Sequence, residues 1–343
     1  MPNPVLTNAI DRLASRDDLP ADDMAAVLAE IMGGHASETE TAAVLIALRT
    51  KGETVDELVG LAATMRRFAA PVKTARDDLI DTAGTGGGRQ TFNVSTTAAL
   101  IAAGAGCAVA KHGNRSATGL SGSADVLEAL GVRIDLAPDA VARCIEQIGF
   151  GFMFAPAHHG ATRFVVPVRK ELAVRTIFNF LGPLTNPAGA TRQVIGVSHP
   201  AFLDVIAGAL ARLGATRALV VSSEDGLDEL STSGATRVVE VGGDGVRSYT
   251  VAPEDVGLPR AAYEDVAGGP PEANADTVRR IFAGERSPAR DFAALNAGAA
   301  IYAAGRADDL ESGVRAAEAA IDGGGAAAAL DRLVELTGKL APT

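Results

Sequence analysis

The chain has 343 residues, 47% hydrophobic and 21% charged, which is enough apolar material for a full core and argues against wholesale disorder. That length suits two domains, or one large domain with a smaller partner. With 31 basic and 42 acidic residues the net charge is −11, which disfavours nucleic acid and anionic membranes as partners; an anionic ligand would need local donors or a bound cation.

Residues 4–13, 22–31, 38–49 and 55–68 carry apolar side chains at three- and four-residue spacing and are expected to be helices. Ser37 with Glu40, and Thr54 with Glu57, have the spacing of capping boxes. Four helices with short links make a small lobe over residues 1–70. Alternation begins after Pro71. Strands are expected at 79–81, 107–110, 132–136, 150–154, 194–197 and 218–222, with helices at 95–103, 123–130, 138–148 and 201–213. Residues 236–251, centred on Gly242-Gly243-Asp244-Gly245, read as a hairpin insertion, and helices return from Asp276. The fold class is therefore α/β: a small N-terminal helical domain plus a large α/β domain with a mostly parallel central sheet and a hairpin insertion. The large domain spans 71–167 and 191–343. Residues about 168–190 break the alternation with Gly182-Pro183 and Asn186-Pro187 and are expected to cross back to the helical lobe.

Cys107 and Cys144 lie in apolar stretches without C-x-x-C spacing and read as small buried hydrophobes. No signal peptide is visible at the N-terminus, and Gly104 and Gly106 interrupt the longest apolar run, residues 98–110. A soluble cytoplasmic protein is expected.

Four motifs carry chemistry. The first is Asp81-Thr82-Ala83-Gly84-Thr85-Gly86-Gly87-Gly88, after a strand and ahead of a helix. So many glycines cost conformational entropy, which is accounted for if backbone N–H groups must approach an anion. No Gly-Lys-Ser/Thr follows, so it is not a P-loop; Arg89 replaces the third glycine of a dinucleotide fingerprint, and the next strand ends in Lys111 rather than an acid. The second is Asn93-Val94-Ser95-Thr96-Thr97 at a helix start, where capping accounts for one or two residues and phosphate or metal contacts for the others. The third is Lys111-His112-Gly113-Asn114-Arg115-Ser116 with Ser121-Gly122-Ser123-Ala124-Asp125, at the carboxyl end of a strand. It supplies local positive charge, and Ser123 is a candidate helix cap. The fourth is Asp225-Gly226-Leu227-Asp228-Glu229, a solvated acidic turn if taken alone, but a Mg²⁺ ligand pair beside a phosphate site. Of the histidines only His112 sits in a chemical cluster; His35, His158, His159 and His199 read as structural.

These motifs, in this order, resemble the anthranilate phosphoribosyltransferases, a family shared with the pyrimidine nucleoside phosphorylases. The resemblance covers nearly the whole chain. It includes Gly33-Gly34-His35-Ala36-Ser37, Ala47-Leu48-Arg49-Thr50-Lys51-Gly52 and the run Arg175-Thr176-Ile177-Phe178-Asn179-Phe180-Leu181-Gly182-Pro183-Leu184-Thr185-Asn186-Pro187. It implies transfer of the phosphoribosyl group of phosphoribosyl pyrophosphate (PRPP) to the amine of anthranilate, in tryptophan synthesis. It further implies PRPP on Gly84, Thr85, Gly86, Gly87, Gly88, Thr91, Asn93, Val94, Ser95, Thr96, Lys111 and Ser123, and anthranilate on Gly84, Asn114 and Arg169. Lys111 and His112 are the catalytic candidates. Two Mg²⁺ ions are implied, one at Ser95 and Glu229 and one at Asp228 and Glu229, in a homodimer joined through the helical lobe.

Some positions depart from the family pattern. Gly88 stands where Asp is common, Ala173 where Gly is usual, and His158-His159-Gly160-Ala161-Thr162 replaces a His-Pro-Ala-Met type of segment. Two alternatives are a nucleoside phosphorylase and a non-catalytic nucleic-acid-binding relative. The first expects Lys-His-Ser-Thr-Gly-Gly where this chain has Lys111-His112-Gly113-Asn114, and an extra C-terminal portion; the second expects a basic surface.

Overall fold

A computed structural model describes residues 2–116 and 119–341. Helices α1 (Pro4–Ala14), α2 (Ala21–Met32), α3 (Glu38–Lys51) and α4 (Val55–Phe68) form the first lobe. Both capping boxes are present: Ser37 caps α3 with Glu40, and Thr54 caps α4 with Glu57. The Glu57 carboxylate is fully buried and also accepts from Leu19 N (3.0 Å) and Lys51 Nζ (3.1 Å), so one acid caps α4 and ties it to α3 and the α1–α2 link.

The rest of the chain builds a seven-stranded sheet from β1 (Leu79–Gly84), β2 (Ala108–Gly113), β3 (Phe150–Phe154), β4 (Arg192–Gly196), β5 (Arg217–Ser223), β6 (Thr236–Gly242) and β7 (Gly245–Val251). The spatial order is β3-β2-β1-β4-β5-β6-β7; the first five are parallel, and β6 and β7 are antiparallel. The 236–251 hairpin thus extends the sheet edge, pairing along β5. Helices α5 (Val94–Gly104), α6 (Ser123–Ala129), α7 (Pro138–Ile148), α8 (Ala155–His158), α9 (Val166–Leu172), α10 (Phe178–Leu184), α11 (Leu203–Arg212), α12 (Pro271–Phe282), α13 (Pro288–Ala303), α14 (Leu310–Asp322) and α15 (Gly325–Leu340) complete it.

The five parallel strands are largely buried on both faces, as parallel strands must be, whereas the edge strand β7 is mostly exposed. Val194, Leu219, Val221 and Val238 face the core made with α5 and α12–α15. Ile195, Val197, Ala218, Val220, Val239 and Val241 face a second core, shared with α9, α10, α11 and the N-terminal helices. The crossover segment therefore packs between the helical lobe and one face of the sheet. Cys107 and Cys144 are buried and free, as expected. No helix among the described residues is long and apolar enough to cross a membrane.

Two local expectations fail. Residues 132–136 are not a strand: Val132, Ile134 and Leu136 are buried in alternation, but Arg133 N donates to Thr337 Oγ1 (3.2 Å) on α15 and pairs with no strand. One-sided burial against helices gives the same period of two as a sheet. Ser123 is not the cap of α6; it is the first helical residue, and the cap is Gly122, whose N–H donates to the Asp125 carboxylate (2.8 Å).

Candidate functional site

The strand order reverses between β1 and β4: the chain moves outward from β1 to β2 and β3, then returns to β4 on the other side of β1. In parallel sheets such a switch point opens a crevice at the carboxyl ends of the strands. Here those ends carry the glycine loop after β1, Ser198 after β4, and residues 224–229 after β5.

The glycine loop is stitched down from several sides. Thr85 N donates to Gly196 O (2.8 Å), Ser198 N to Thr85 Oγ1 (3.2 Å), Ser198 Oγ to Gly86 O (2.8 Å) and Arg89 N to Gly226 O (3.2 Å). Gly86 and Gly87 adopt successive positive φ of 69° and 81°, which L side chains rarely adopt. Gly86 N donates to Asp228 Oδ2 at 3.1 Å. A Cβ at Gly84 or Gly88 would lie 2.6 Å from an Asp228 carboxylate oxygen, and one at Gly196 would overlap the Asp228 carbonyl oxygen outright. The glycines therefore admit the Asp228 segment as well as a ligand. Among the described residues, no protein acceptor is bonded to the Gly87 and Gly88 amides.

Beneath the loop lies a polar layer. Lys111 is 1% exposed, and its Nζ donates to Thr82 O (2.5 Å) and lies 3.3 Å from Thr82 Oγ1 and 3.4 Å from Ser95 Oγ. Burial lowers its pKa to about 8, while Asp81 and Glu229 pull it up. Burial raises Asp81 to about 6; its carboxylate accepts from His112 N (3.1 Å) and Asn186 Nδ2 (2.7 Å). Glu229 is pushed well above the usual carboxylate range by burial first, then by Asp228 and Asp225. Its Oε2 is buried without a partner among the described residues, as is Thr96 Oγ1. Asp228 is likewise raised by burial. A cavity of about 20 Å³, room for one water-sized guest, lies between Thr82, Ser95, Gly196, Asp228 and Glu229. Two carboxylates and a hydroxyl, with an orphaned buried oxygen among them, form a hard-oxygen donor set that fits Mg²⁺ completed by water and substrate phosphate.

The other sequence candidates are distributed as follows. Thr91, in an isolated antiparallel bridge with Ala267, lies on the Glu229 side of the site and favours the ionised form of that acid. Asn93 sits at the N-cap of α5 in a left-handed conformation without capping it; its side chain instead bonds Ser121 and Asn274, tying the helix start to the third motif and α12. Val94 is buried, and Ser123 lies under the end of β2, where a Cβ at Gly113 would be 3.0 Å from its Cβ. Asn114 is exposed just past β2. Arg169 projects from α9 beside Phe178, its guanidinium 5.6 Å from the ring centroid, and partial burial lowers its pKa; among the described residues no carboxylate pairs with it.

The positive cluster expected around Lys111 is different in the structure. Lys111 points inward, and Arg115 is bound by Asp125 and Glu128. His112 turns away from the glycine loop: its Nδ1 meets Gly182 O at 3.1 Å, its ring lies 5.0 Å from that of His159, and burial lowers its pKa to about 3. It joins His158 and His159 in a buried, neutral cluster. Asp225, in the fourth motif, is a fastener for its own loop, accepting from Ser223, Ser231, Ser233 and Leu227. Sequence reasoning missed Ser198 and the side chain of Arg175, both on the glycine loop. The position of Ser198 just beyond a strand end was the signal available for it.

Residues 7–69 match the model of the glycosyl transferase family helical bundle domain, and residues 76–327 that of the family's a/b domain. The chain is 52% identical to the anthranilate phosphoribosyltransferase of Rubrobacter xylanophilus, over 98% of this chain and 99% of that one. It is 49% identical to that of Moorella thermoacetica, over 96% and 98%. The chain belongs to the anthranilate phosphoribosyltransferase family. It is a Mg²⁺-dependent glycosyltransferase of tryptophan biosynthesis. Its reaction moves the phosphoribosyl group of PRPP to the anthranilate amine. The anthranilate phosphoribosyltransferase of Thermus thermophilus superposes with a TM-score of 0.92 at 47% identity, covering 96% of this chain and 99% of that one. That of Saccharomyces cerevisiae, solved in complex with PRPP and Mg, superposes with a TM-score of 0.89 at 26% identity, covering 98% of each chain.

Proposed function

We infer that the crevice at the β1–β4 switch point is where this transferase binds PRPP, with Asp228 and Glu229 holding two Mg²⁺ ions and Arg169 holding the acceptor. The observation that carries the reading is the meeting of free glycine-loop amides, a small oxygen-lined cavity and an orphaned Glu229 oxygen at one sheet edge.

The amides of Gly87 and Gly88 are available to pyrophosphate oxygens, and Thr91, Asn93, Val94, Ser95, Thr96 and Ser123 frame the start of α5 and the end of β2 around them. Lys111 acts from below. Its ammonium is held against Thr82 and Ser95, so it lends positive potential to the leaving group through a low-dielectric layer. His112 positions the β2 end and α10 rather than touching the reacting atoms. When bound, Mg²⁺ takes up the charge that develops on pyrophosphate. The acceptor amine is neutral at pH 7 and needs placement more than deprotonation, so no general base is required. The Arg169 guanidinium, free of a protein carboxylate among the described residues, suits the carboxylate of anthranilate, with Gly84 and Asn114 at the facing strand ends.

Loss of anthranilate fluorescence with PRPP and Mg²⁺ tests the reading, and a flat trace would overturn it. We further place the protein in the cytoplasm as a homodimer joined through residues 1–70 and the crossover segment. Exposed Val5 on α1 and Ile46 on α3 support that face, and sedimentation at the mass of one chain would refute it.

A further inference from the structure

Arg175 lies on the linker between α9 and α10, six residues beyond Arg169. Its guanidinium reaches into the site: Nη2 donates to Gly86 O (3.2 Å) and Nη1 to Ser198 Oγ (3.1 Å). Ser198 Oγ in turn donates to the same Gly86 carbonyl (2.8 Å), so two donors from different elements converge on one acceptor. The guanidinium also lies against Gly87, where an added Cβ would overlap Nη2. The Arg175 backbone is held from the other lobe, because Arg49 Nη1 on α3 donates to its carbonyl at 2.7 Å. α9 itself packs on α3. A continuous set of contacts therefore runs from α3 and α9 through Arg175 to the glycine loop.

The Gly86 carbonyl and the Gly87 N–H belong to one planar peptide unit, and the Gly88 amide follows directly after it. Moving that carbonyl re-aims the Gly87 and Gly88 N–H groups. Conversely, an anion drawing on those amides shifts the Gly86 peptide, and with it Arg175 and the linker that follows α9.

We propose that Arg175 is a positioning residue coupling the two substrate sites: with Ser198 it sets the glycine loop for PRPP, and its linker transmits that setting to the acceptor-holding Arg169. The inference rests on the substrate placement given above. The backbone chain of contacts means that occupation of the loop improves anthranilate binding, and by linkage the reverse.

The test titrates anthranilate by fluorescence, without and with saturating magnesium pyrophosphate, which fills the loop but cannot react. In the unaltered enzyme pyrophosphate should tighten anthranilate at least about fivefold. In Arg175→Ala and in Ser198→Ala that ratio should fall to less than about twofold, with KM for PRPP raised about tenfold and kcat lowered less. Arg175→Lys, which keeps one donor, should recover part of the ratio. Ser198→Ala removes only a hydroxyl and keeps the test open if Arg175→Ala does not fold. An unchanged ratio in folded Arg175→Ala or in folded Ser198→Ala, or equal anthranilate affinity with and without pyrophosphate in the unaltered enzyme, overturns the coupling. Arg169→Ala separates the two readings. It should weaken anthranilate in both conditions, and if it does not, the acceptor placement is at fault.

Discussion

The Asp228 carboxylate accepts a hydrogen bond from the Gly86 amide at 3.1 Å, across 142 positions of sequence. In the protein alone this acid occupies a donor of the anion loop. The loop is thus tied by an internal carboxylate, the same one proposed above as a Mg²⁺ ligand.

Replacing the acids therefore has opposite effects on stability and activity. In Asp228→Asn with Glu229→Gln, the metal-free protein should melt no lower than the parent, because Glu229 Oε2 is buried without a partner and a neutral amide costs less to bury. Activity should fall about 100-fold or more at every Mg²⁺ concentration. Retained Mg²⁺-dependent turnover would remove these residues from the metal site.

Gly88 stands beside the same acid, with an added Cβ 2.6 Å from Asp228 Oδ1. Gly88→Asp would set a second carboxylate there. Without divalent cation the variant should lose about 1 kcal/mol or more, because the added Cβ displaces the Asp228 side chain and the second carboxylate repels it. Added Mg²⁺ should raise its melting temperature more than that of the parent. Equal Mg²⁺ shifts in calorimetry would contradict this.

Arg169 lacks a protein carboxylate among the described residues and is partly buried, so its charge is available to an acceptor. Arg169→Ala should raise KM for anthranilate roughly 10- to 100-fold, the cost of a charge-assisted hydrogen bond, and change that for PRPP much less. Steady-state kinetics with each substrate varied decides it.

His159 is buried with both ring nitrogens unpartnered by side chains, and burial, then His158, lowers its pKa to about 4. The unfolded histidine titrates near 6.5. The neutral ring thus favours the folded state fully above about pH 6.5, and that preference is lost as pH falls through 6.5 toward 4. Each pH unit in that window costs roughly 1.4 kcal/mol. Asp81, raised to about 6, acts in the opposite sense, so the comparison must be between variants. His159→Gln should lose less stability than the parent between pH 7 and 5 in denaturant titrations. Parallel curves would show that the ring is protonated in the fold.

Ala173 takes a left-handed φ of 52° at the end of α9, where the family pattern has glycine. Ala173→Gly should stabilise the protein by roughly 0.5–1 kcal/mol, the steric relief less the added chain entropy. A lower melting temperature would show that Ala173 makes a contact worth more than its strain.

The helical lobe, the five parallel strands, the hairpin and the glycine loop were legible in the chain because they rest on local rules, whereas helices α8, α9 and α10 were not. Capping boxes at Ser37 and Thr54, apolar spacing of three and four, and glycines after a strand act over a few residues. Residues 132–136 show where such rules end, since alternation records a buried face and not a strand partner.

By itself the sequence determined the α/β class, the family and the kinds of residue that gather at the site. Only the tertiary structure decided their relations. Lys111 is buried under Ser95, His112 turns toward Gly182, Asp228 bonds Gly86, and Arg175 bridges from the crossover to the glycine loop. Those relations join residues up to 142 positions apart, and they depend on the β1–β4 switch point, which brings strand ends together irrespective of their distance along the chain.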